Sequence, residues 1–256
     1  MAYLEELFEL PGRVALVTGA RQGVGRALAL ALARAGARVA LTSRDAASLR
    51  ELGRELEPLG AEPLLLGLEL TDAAAPARAV EAVIERWGRL DVLVNNAGLS
   101  IRGPAVDYAV AEWDEVFATN LRGPFLLAQA AARAMGDGGR IVNVSSTYAR
   151  VAVAERAAYA ASKAGLEQLT RALAVEWAAR GITVNAIAPG ATPTQTRRAV
   201  LGTAEAARAR AAEIPLGRLG SADDLAGALL LLTGPAGAFI TGQTIVVDGG
   251  YTLGVA

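Results

Sequence analysis

Seven short apolar runs recur between stretches of helical composition: Val14 to Val17, Val39 to Leu41, Leu64 to Leu66, Val92 to Val94, Ile141 to Val144, Val184 to Ile187 and Thr244 to Val247. A strand with one solvated face alternates apolar and polar side chains, so an uninterrupted run marks a strand buried on both faces. Buried strands separated by helices form a parallel sheet covered on both sides, because each parallel crossover needs an intervening helix. The sequence therefore predicts a doubly wound α/β fold on a parallel seven-stranded sheet. Helix signals agree: Val24 to Ala35 stops at Gly36, and Ala74 to Trp87, with Pro76 in its first turn, stops at Gly88.

The composition suits one such unit. With 256 residues, 53% hydrophobic and 20% charged, the chain can bury a large core, which excludes intrinsic disorder. No repeat, low-complexity block or linker divides it, so residues 1–256 read as a single domain with an irregular insertion at about 192–218. Within that insertion Arg197 to Glu213 is helical in composition and arginine-rich, and reads as a substrate lid or as a solvated surface helix. The charge-free stretch from Leu225 to Val247 has the length of a membrane span, but Thr233-Gly234-Pro235 divides it into a buried helix, a loop and a strand. Met1 to Leu10 holds three glutamates and no basic region, unlike a secretory signal, so a cytoplasmic location is expected. A net charge of -1 provides no field for nucleic acid or an anionic membrane.

Cysteine and histidine are both absent. Their absence removes disulfides, thiolate nucleophiles, Ser-His-Asp catalysis, histidine metal sites and imidazole bases, so no metal site is expected. A catalytic base must be a carboxylate, a lysine or a tyrosine.

Directly after the first strand stands Thr18-Gly19-Ala20-Arg21-Gln22-Gly23-Val24-Gly25, followed by helical sequence from Arg26. Glycines at 19, 23 and 25 allow positive φ and close backbone approach, so the N–H groups at the helix start can point at a pyrophosphate. The same turn could also be a tight βα connection with no ligand. After the second strand, Ser43-Arg44 occupies the place where a carboxylate would accept bonds from an adenosine 2'-hydroxyl. A hydroxyl and a guanidinium there, with Arg21 nearby, suit a 2'-phosphate, which favours NADP over NAD. The plainer alternative is a solvated Arg44 paired with Asp45.

Tyr159 and Lys163 stand at i and i+4 on one helix face, where an ammonium can favour the phenolate and make a tyrosine usable near neutral pH. A stacked surface pair has the same spacing. Ser145-Ser146 ends the fifth strand, Asn95-Asn96-Ala97-Gly98 ends the fourth, and Asn120 lies in a helical stretch from Ala111 to Met135, so polar groups gather at the carboxyl edge of the sheet. The asparagines could instead satisfy their own turn or a nearby helix carbonyl.

Together these motifs, with Pro189-Gly190, resemble the short-chain dehydrogenase/reductase family over about Leu10 to Tyr251, in the family's order and approximate spacing. The resemblance implies a Rossmann fold and an NADP-dependent oxidoreductase acting on CH-OH groups. Tyr159 would protonate the carbonyl oxygen, Ser146 would orient it, Lys163 would depress the tyrosine pKa and bond the nicotinamide ribose, and Asn120 would hold a helix irregularity and a water. Between Ser145 and Ser146, only 146 has the family's spacing to Tyr159. Cofactor contacts are implied for Gly19, Arg21, Gly23, Val24, Gly25, Ser43, Arg44, Glu69, Leu70, Asn96, Ala97 and Gly98, and for Tyr159, Lys163, Pro189, Gly190, Thr192 and Thr194 at the nicotinamide end.

Three positions depart from the family pattern: Glu69 for a frequent Asp, Thr192 for Ile or Val, and Arg150 in a loop often rich in glycine. Small apolar residues near Thr147, Val151, Val153 and Ala191 favour a carbonyl or 3-oxoacyl compound as substrate. The alternative within the family is a sugar-acid or polyol dehydrogenase, with Arg150 or Arg102 as carboxylate partner. A different class, a non-catalytic NADP-binding regulatory protein, would keep the nucleotide site without turnover. Long alanine- and leucine-rich stretches at Ala111 to Met135 and Tyr159 to Arg180 suit subunit packing, and the resemblance implies a homotetramer.

Overall fold

The structure, a computed structural model, describes residues 2–59, 62–193 and 203–254. Its seven strands are β1 (Val14–Val17), β2 (Arg38–Ser43), β3 (Leu64–Gly67), β4 (Val92–Asn95), β5 (Arg140–Val144), β6 (Thr183–Pro189) and β7 (Thr244–Val247). They form one parallel sheet in the order β3-β2-β1-β4-β5-β6-β7. The winding direction reverses between β1 and β4, and a crevice opens at such a switch point beyond the carboxyl ends of the strands.

The helices are α1 (Ala2–Phe8), α2 (Gly23–Arg34), α3 (Arg50–Leu56), α4 (Ala75–Trp87), α5 (Val110–Phe117), α6 (Gly123–Ala134), α7 (Ala157–Trp177), α8 (Ala204–Ala212) and α9 (Ala226–Thr233). Alternate strand residues divide the core into two layers. Val17, Leu41 and Val94 face Leu28 and Leu32 of α2 and Leu229 of α9. Leu16, Leu93 and Ile141 face Val83 of α4, Leu127 of α6 and Leu173 of α7. The central strands β1 and β4 are buried throughout, as uninterrupted apolar runs require. The outermost strands β3 and β7 are only partly buried, because a strand at the sheet edge has a neighbour on one side alone.

Helix ends follow local chemistry. α4 begins with Pro76 in its first turn and ends at Gly88, whose φ of 72° is the left-handed conformation that glycine adopts without strain. The helical stretch expected from Ala111 to Met135 runs as α5, a π-helical turn at Ala118–Arg122 that contains Asn120, and α6. Pro124 explains the break: it has no N–H to donate to the Asn120 carbonyl four residues back, so the ladder shifts to a wider turn. In the insertion, α8 covers only Ala204–Ala212 of the helix expected over Arg197 to Glu213, and 194–202 lie outside the described residues.

At the edge opposite the crevice, Asp91 staples β4 to β1. Its carboxylate, 6% exposed, accepts from the Val14 N–H at 2.9 Å, Arg13 Nη1 at 3.0 Å, and Arg89 Nε and Nη2 at 2.8 and 2.6 Å. Burial pushes its pKa up, but the Arg89, Val14 and Arg13 donors outweigh that and hold it below the ordinary carboxylate value. A depressed carboxylate contributes stability above its unfolded pKa and loses it as pH falls through the folded one. Asp91→Asn is therefore predicted to lower stability by about 2 kcal/mol at pH 7, with the gap to wild type closing only below about pH 4. Urea denaturation at pH 7 and pH 3.5 checks this, and equal midpoints at pH 7 would contradict it.

Candidate active site

A cleft of about 740 Å³ opens at the carboxyl edge of the sheet. Its first wall is the glycine turn between β1 and α2. Gly19 and Gly23 hold φ of 65° and 61°, and a Cβ built on Gly25 would stand 2.3 Å from Asn96 Nδ2 and 2.4 Å from the Gly19 carbonyl oxygen. Only glycine lets the turn fold this tightly. Thr18 Oγ1 accepts the N–H groups of Asn96 and Ala97 at 2.9 and 3.0 Å, while Asn96 Nδ2 donates to the carbonyls of Thr18 and Gly19 at 2.8 and 3.2 Å. Asn96 thus stitches the end of β4 to the turn. No side chain caps the start of α2, so its first N–H groups face the cleft with their positive end of the helix dipole.

The floor past β2 holds Ser43 and Arg44. Ser43 Oγ is committed to its own loop, donating to the Asp45 carbonyl and lying 2.8 Å from Ser48 Oγ. Asp45 does not pair with Arg44; its Oδ1 accepts the Ala47 N–H and caps the following turn. Arg44 is exposed, borders the cleft and makes no ion pair among the described residues. Glu69 Oε1 accepts from both Thr71 N and Thr71 Oγ1, at 3.0 and 2.9 Å, so its carboxylate is turned toward its own loop.

The opposite wall is α7 against the end of β5. Lys163 Nζ donates to the Val144 carbonyl at 2.7 Å and lies 5.9 Å from the Tyr159 ring centroid. Burial lowers the Lys163 pKa to about 8. The Tyr148 ring meets Tyr159 edge-on at 6.2 Å. Ser145 and Ser146 both border the cleft but differ in partner: Ser145 Oγ donates to buried Glu167 at 3.0 Å, whereas Ser146 Oγ accepts the Tyr148 N–H at 3.2 Å. Gly98 leaves room beside the lysine, since a Cβ there would stand 3.6 Å from Lys163 Nζ and 3.3 Å from Asn120 Oδ1.

Asn120 is wholly buried and does not border the cleft. In the π-helical turn its Oδ1 accepts the Leu99 N–H at 2.7 Å, and its Nδ2 donates to the Leu99 carbonyl at 2.8 Å and Ser162 Oγ at 3.0 Å. It ties the chain after β4 to α7. At the far end, Pro189, Gly190 and Thr192 border the cleft; a Cβ on Gly190 would stand 2.7 Å from Asp248, and Thr194 lies outside the described residues.

The cleft brings together Gly19, Arg21, Val24, Gly25, Ser43, Arg44, Glu69, Leu70, Asn96, Ala97, Gly98, Ser146, Tyr159, Lys163, Pro189, Gly190 and Thr192; Gly23 shapes the turn from behind. It also brings in Thr42, Ser48, Thr71, Ser100, Glu115 and Thr119, which the motifs did not single out. Their signal was positional: Thr42 is the penultimate residue of β2, Thr71 lies four residues past β3, and Glu115 and Thr119 stand one helical turn apart just before Asn120. The arginines proposed for a substrate carboxylate are engaged, Arg102 with Glu155 at 3.9 Å and Arg150 with Glu167 at 3.3 Å, while Arg156 donates to Ser100 Oγ at 2.6 Å.

A family model described as enoyl-(acyl carrier protein) reductase matches residues 19–252. The chain is 39% identical to D-threitol dehydrogenase of Mycolicibacterium smegmatis, over 96% of this chain and 95% of that one. It is 40% identical to a 3-oxoacyl-[acyl-carrier-protein] reductase of Pseudomonas aeruginosa, over 95% and 99%. A gluconate 5-dehydrogenase from Burkholderia cenocepacia, solved in complex with NADP and tartrate, superposes with a TM-score of 0.92 at 35% identity, covering 98% of this chain and 100% of that one. The fold, the cleft and these relatives define the class: the chain belongs to the short-chain dehydrogenase/reductase family of oxidoreductases.

If Arg44 receives a 2'-phosphate, Arg44→Ala loses charge-assisted hydrogen bonds, and the KM for NADPH rises about 10-fold or more while that for NADH changes little. Initial-rate kinetics with both cofactors check this, and equal changes would remove Arg44 from cofactor selection.

Proposed function

We propose that this protein is an NADP(H)-dependent oxidoreductase that interconverts a ketone and a secondary alcohol, of the carbonyl or 3-oxoacyl reductase type. The observation that carries the reading is the placement of Ser146, Tyr159 and Lys163 in the same cleft as the glycine turn and Arg44. The residues fit a dinucleotide: a turn stripped of side chains stands before uncapped helix N–H groups, and a guanidinium stands where a 2'-phosphate would lie. When bound, the nicotinamide supplies or accepts the hydride.

The chain's own residues handle the proton and the carbonyl. Tyr159 gives its phenolic proton to the carbonyl oxygen during reduction and takes it back during oxidation. Ser146 Oγ, on a turn fixed by Tyr148 N–H, donates a hydrogen bond to the same oxygen and sets its position. Lys163, with a pKa of about 8, is mostly ammonium at pH 7 and favours the phenolate left on Tyr159. Asn120 acts from behind by fixing the loop after β4 to α7.

A second reading, a polyol or sugar-acid dehydrogenase, is favoured by the D-threitol and gluconate relatives and by the Ser100–Arg156 pair at the cleft. Because Arg102 and Arg150 already have carboxylate partners, a neutral polyol fits this reading better than a sugar acid. Among the described residues no helix is long and apolar enough to cross a membrane. We place the protein in the cytoplasm as a homotetramer, whose mass light scattering would measure.

The test follows NADPH oxidation with 3-oxoacyl esters, cyclic ketones, keto-sugars and keto-acids. Tyr159→Phe is predicted to lower kcat by about 10²–10⁴-fold on whichever substrate turns over, with NADPH binding retained. Wild-type silence across the panel with NADPH still bound would favour the nucleotide-binding regulator.

A further inference from the structure

Tyr159, Lys163 and Glu167 stand at i, i+4 and i+8 on α7 and share one helix face. The first two border the cleft, whereas Glu167 does not and is 6% exposed. A carboxylate removed from water persists where donors replace its hydration, and a leucine would fill such a place without desolvating a charge. The donors here are Ser145 Oγ, 3.0 Å from Oε1, and Arg150 Nη2, 3.3 Å from Oε2.

Both donors belong to the segment that carries Ser146. Ser145 precedes it directly, with its N–H fixed to the Ile187 carbonyl at 2.7 Å. Arg150 follows the short turn Thr147–Ala149 that Ser146 Oγ caps, and its N–H closes on the Thr147 carbonyl at 2.9 Å. One carboxylate on α7 therefore grips residues 145–150 at both ends, and Lys163 grips the residue before them through the Val144 carbonyl. The turn between the two grips also carries Tyr148, whose ring edge abuts Tyr159.

We propose that Glu167 is a positioning residue. By fixing Ser145 and Arg150 relative to α7, it sets the Ser146 hydroxyl at a constant distance from the Tyr159 hydroxyl without touching substrate or cofactor. The inference rests on the reading of Ser146 and Tyr159 given above. Misplacing a catalytic group by about 1 Å costs on the order of 10²-fold in rate, so a lost grip appears in kcat rather than in cofactor binding.

Glu167→Ala is expected to lower kcat by about 10- to 100-fold, with the KM for NADPH nearly unchanged. Glu167→Gln, which keeps an acceptor for Ser145 but loses the charge facing Arg150, is expected to lose less, and Ser145→Ala combined with Glu167→Ala is expected to be no worse than Glu167→Ala alone. A purely structural role would lower the melting temperature of these variants and leave kcat at 25 °C unchanged, and that result overturns the proposal. Tyr159→Phe in the same assay separates the two levels: if it keeps turnover, the reading of the site fails, and if it is silent while Glu167→Ala is fully active, only the positioning role fails. Should Glu167→Ala not fold, Glu167→Gln and Ser145→Ala decide alone. A crystal structure of Glu167→Gln adds a readout free of turnover: Ser146 Oγ displaced by about 0.5 Å or more supports the proposal, and an unmoved hydroxyl overturns it.

Discussion

The hydrogen bond from Lys163 Nζ to the Val144 carbonyl docks α7, the longest helix among the described residues, onto the end of the fifth strand. An ammonium buried this deeply is costly unless it has acceptors, and the strand end offers it the Val144 carbonyl. That contact fixes the rotation of α7. Once it is set, Tyr159 one turn earlier faces the cleft, Glu167 one turn later meets Ser145 and Arg150, and Ser146 stands between them. The site is thus less a collection of residues than the consequence of one helix seated in one register.

The same strand ends are held from the other side. Asn95 Nδ2 donates to Asn143 Oδ1, whose amide donates in turn to Thr170 Oγ1 on α7, so a buried polar chain runs from β4 through β5 into the helix. Asn96, its neighbour in sequence, points the opposite way and pins the glycine turn. Asn120 completes the frame by bonding both backbone groups of Leu99 from a π-helical turn. Buried side-chain networks of this kind specify one arrangement where apolar packing alone would tolerate several, although Asn95 Oδ1 has no partner among the described residues in this one.

Much of this was legible in the sequence because it followed from burial and backbone geometry. Strands buried on both faces read as uninterrupted apolar runs, and glycines at 19, 23 and 25 announce a turn with no space for side chains. The rest depended on where polar side chains turn. Ser43 and Asn96 both border the cleft as expected, but the sequence did not show that Ser43 Oγ donates to the Asp45 carbonyl or that Asn96 Nδ2 donates to the carbonyls of Thr18 and Gly19. Composition alone marked Ala111 to Met135 only as helical; the irregularity at Asn120 came from the family resemblance, and Pro124 held its local signal. Glu167 has the spacing of a third residue on the catalytic face, and only its burial and its two partners distinguish it from an exposed helix glutamate.

The central claim is that one cleft holds the whole dinucleotide and the reacting carbonyl, and a crystal structure with NADP bound tests it most directly. The account predicts the pyrophosphate at the start of α2, the 2'-phosphate within hydrogen-bond reach of Arg44, and the nicotinamide between Gly190 and Tyr159 with Lys163 at its ribose. A cofactor bound elsewhere, or a nicotinamide turned away from Tyr159 and Ser146, would contradict it.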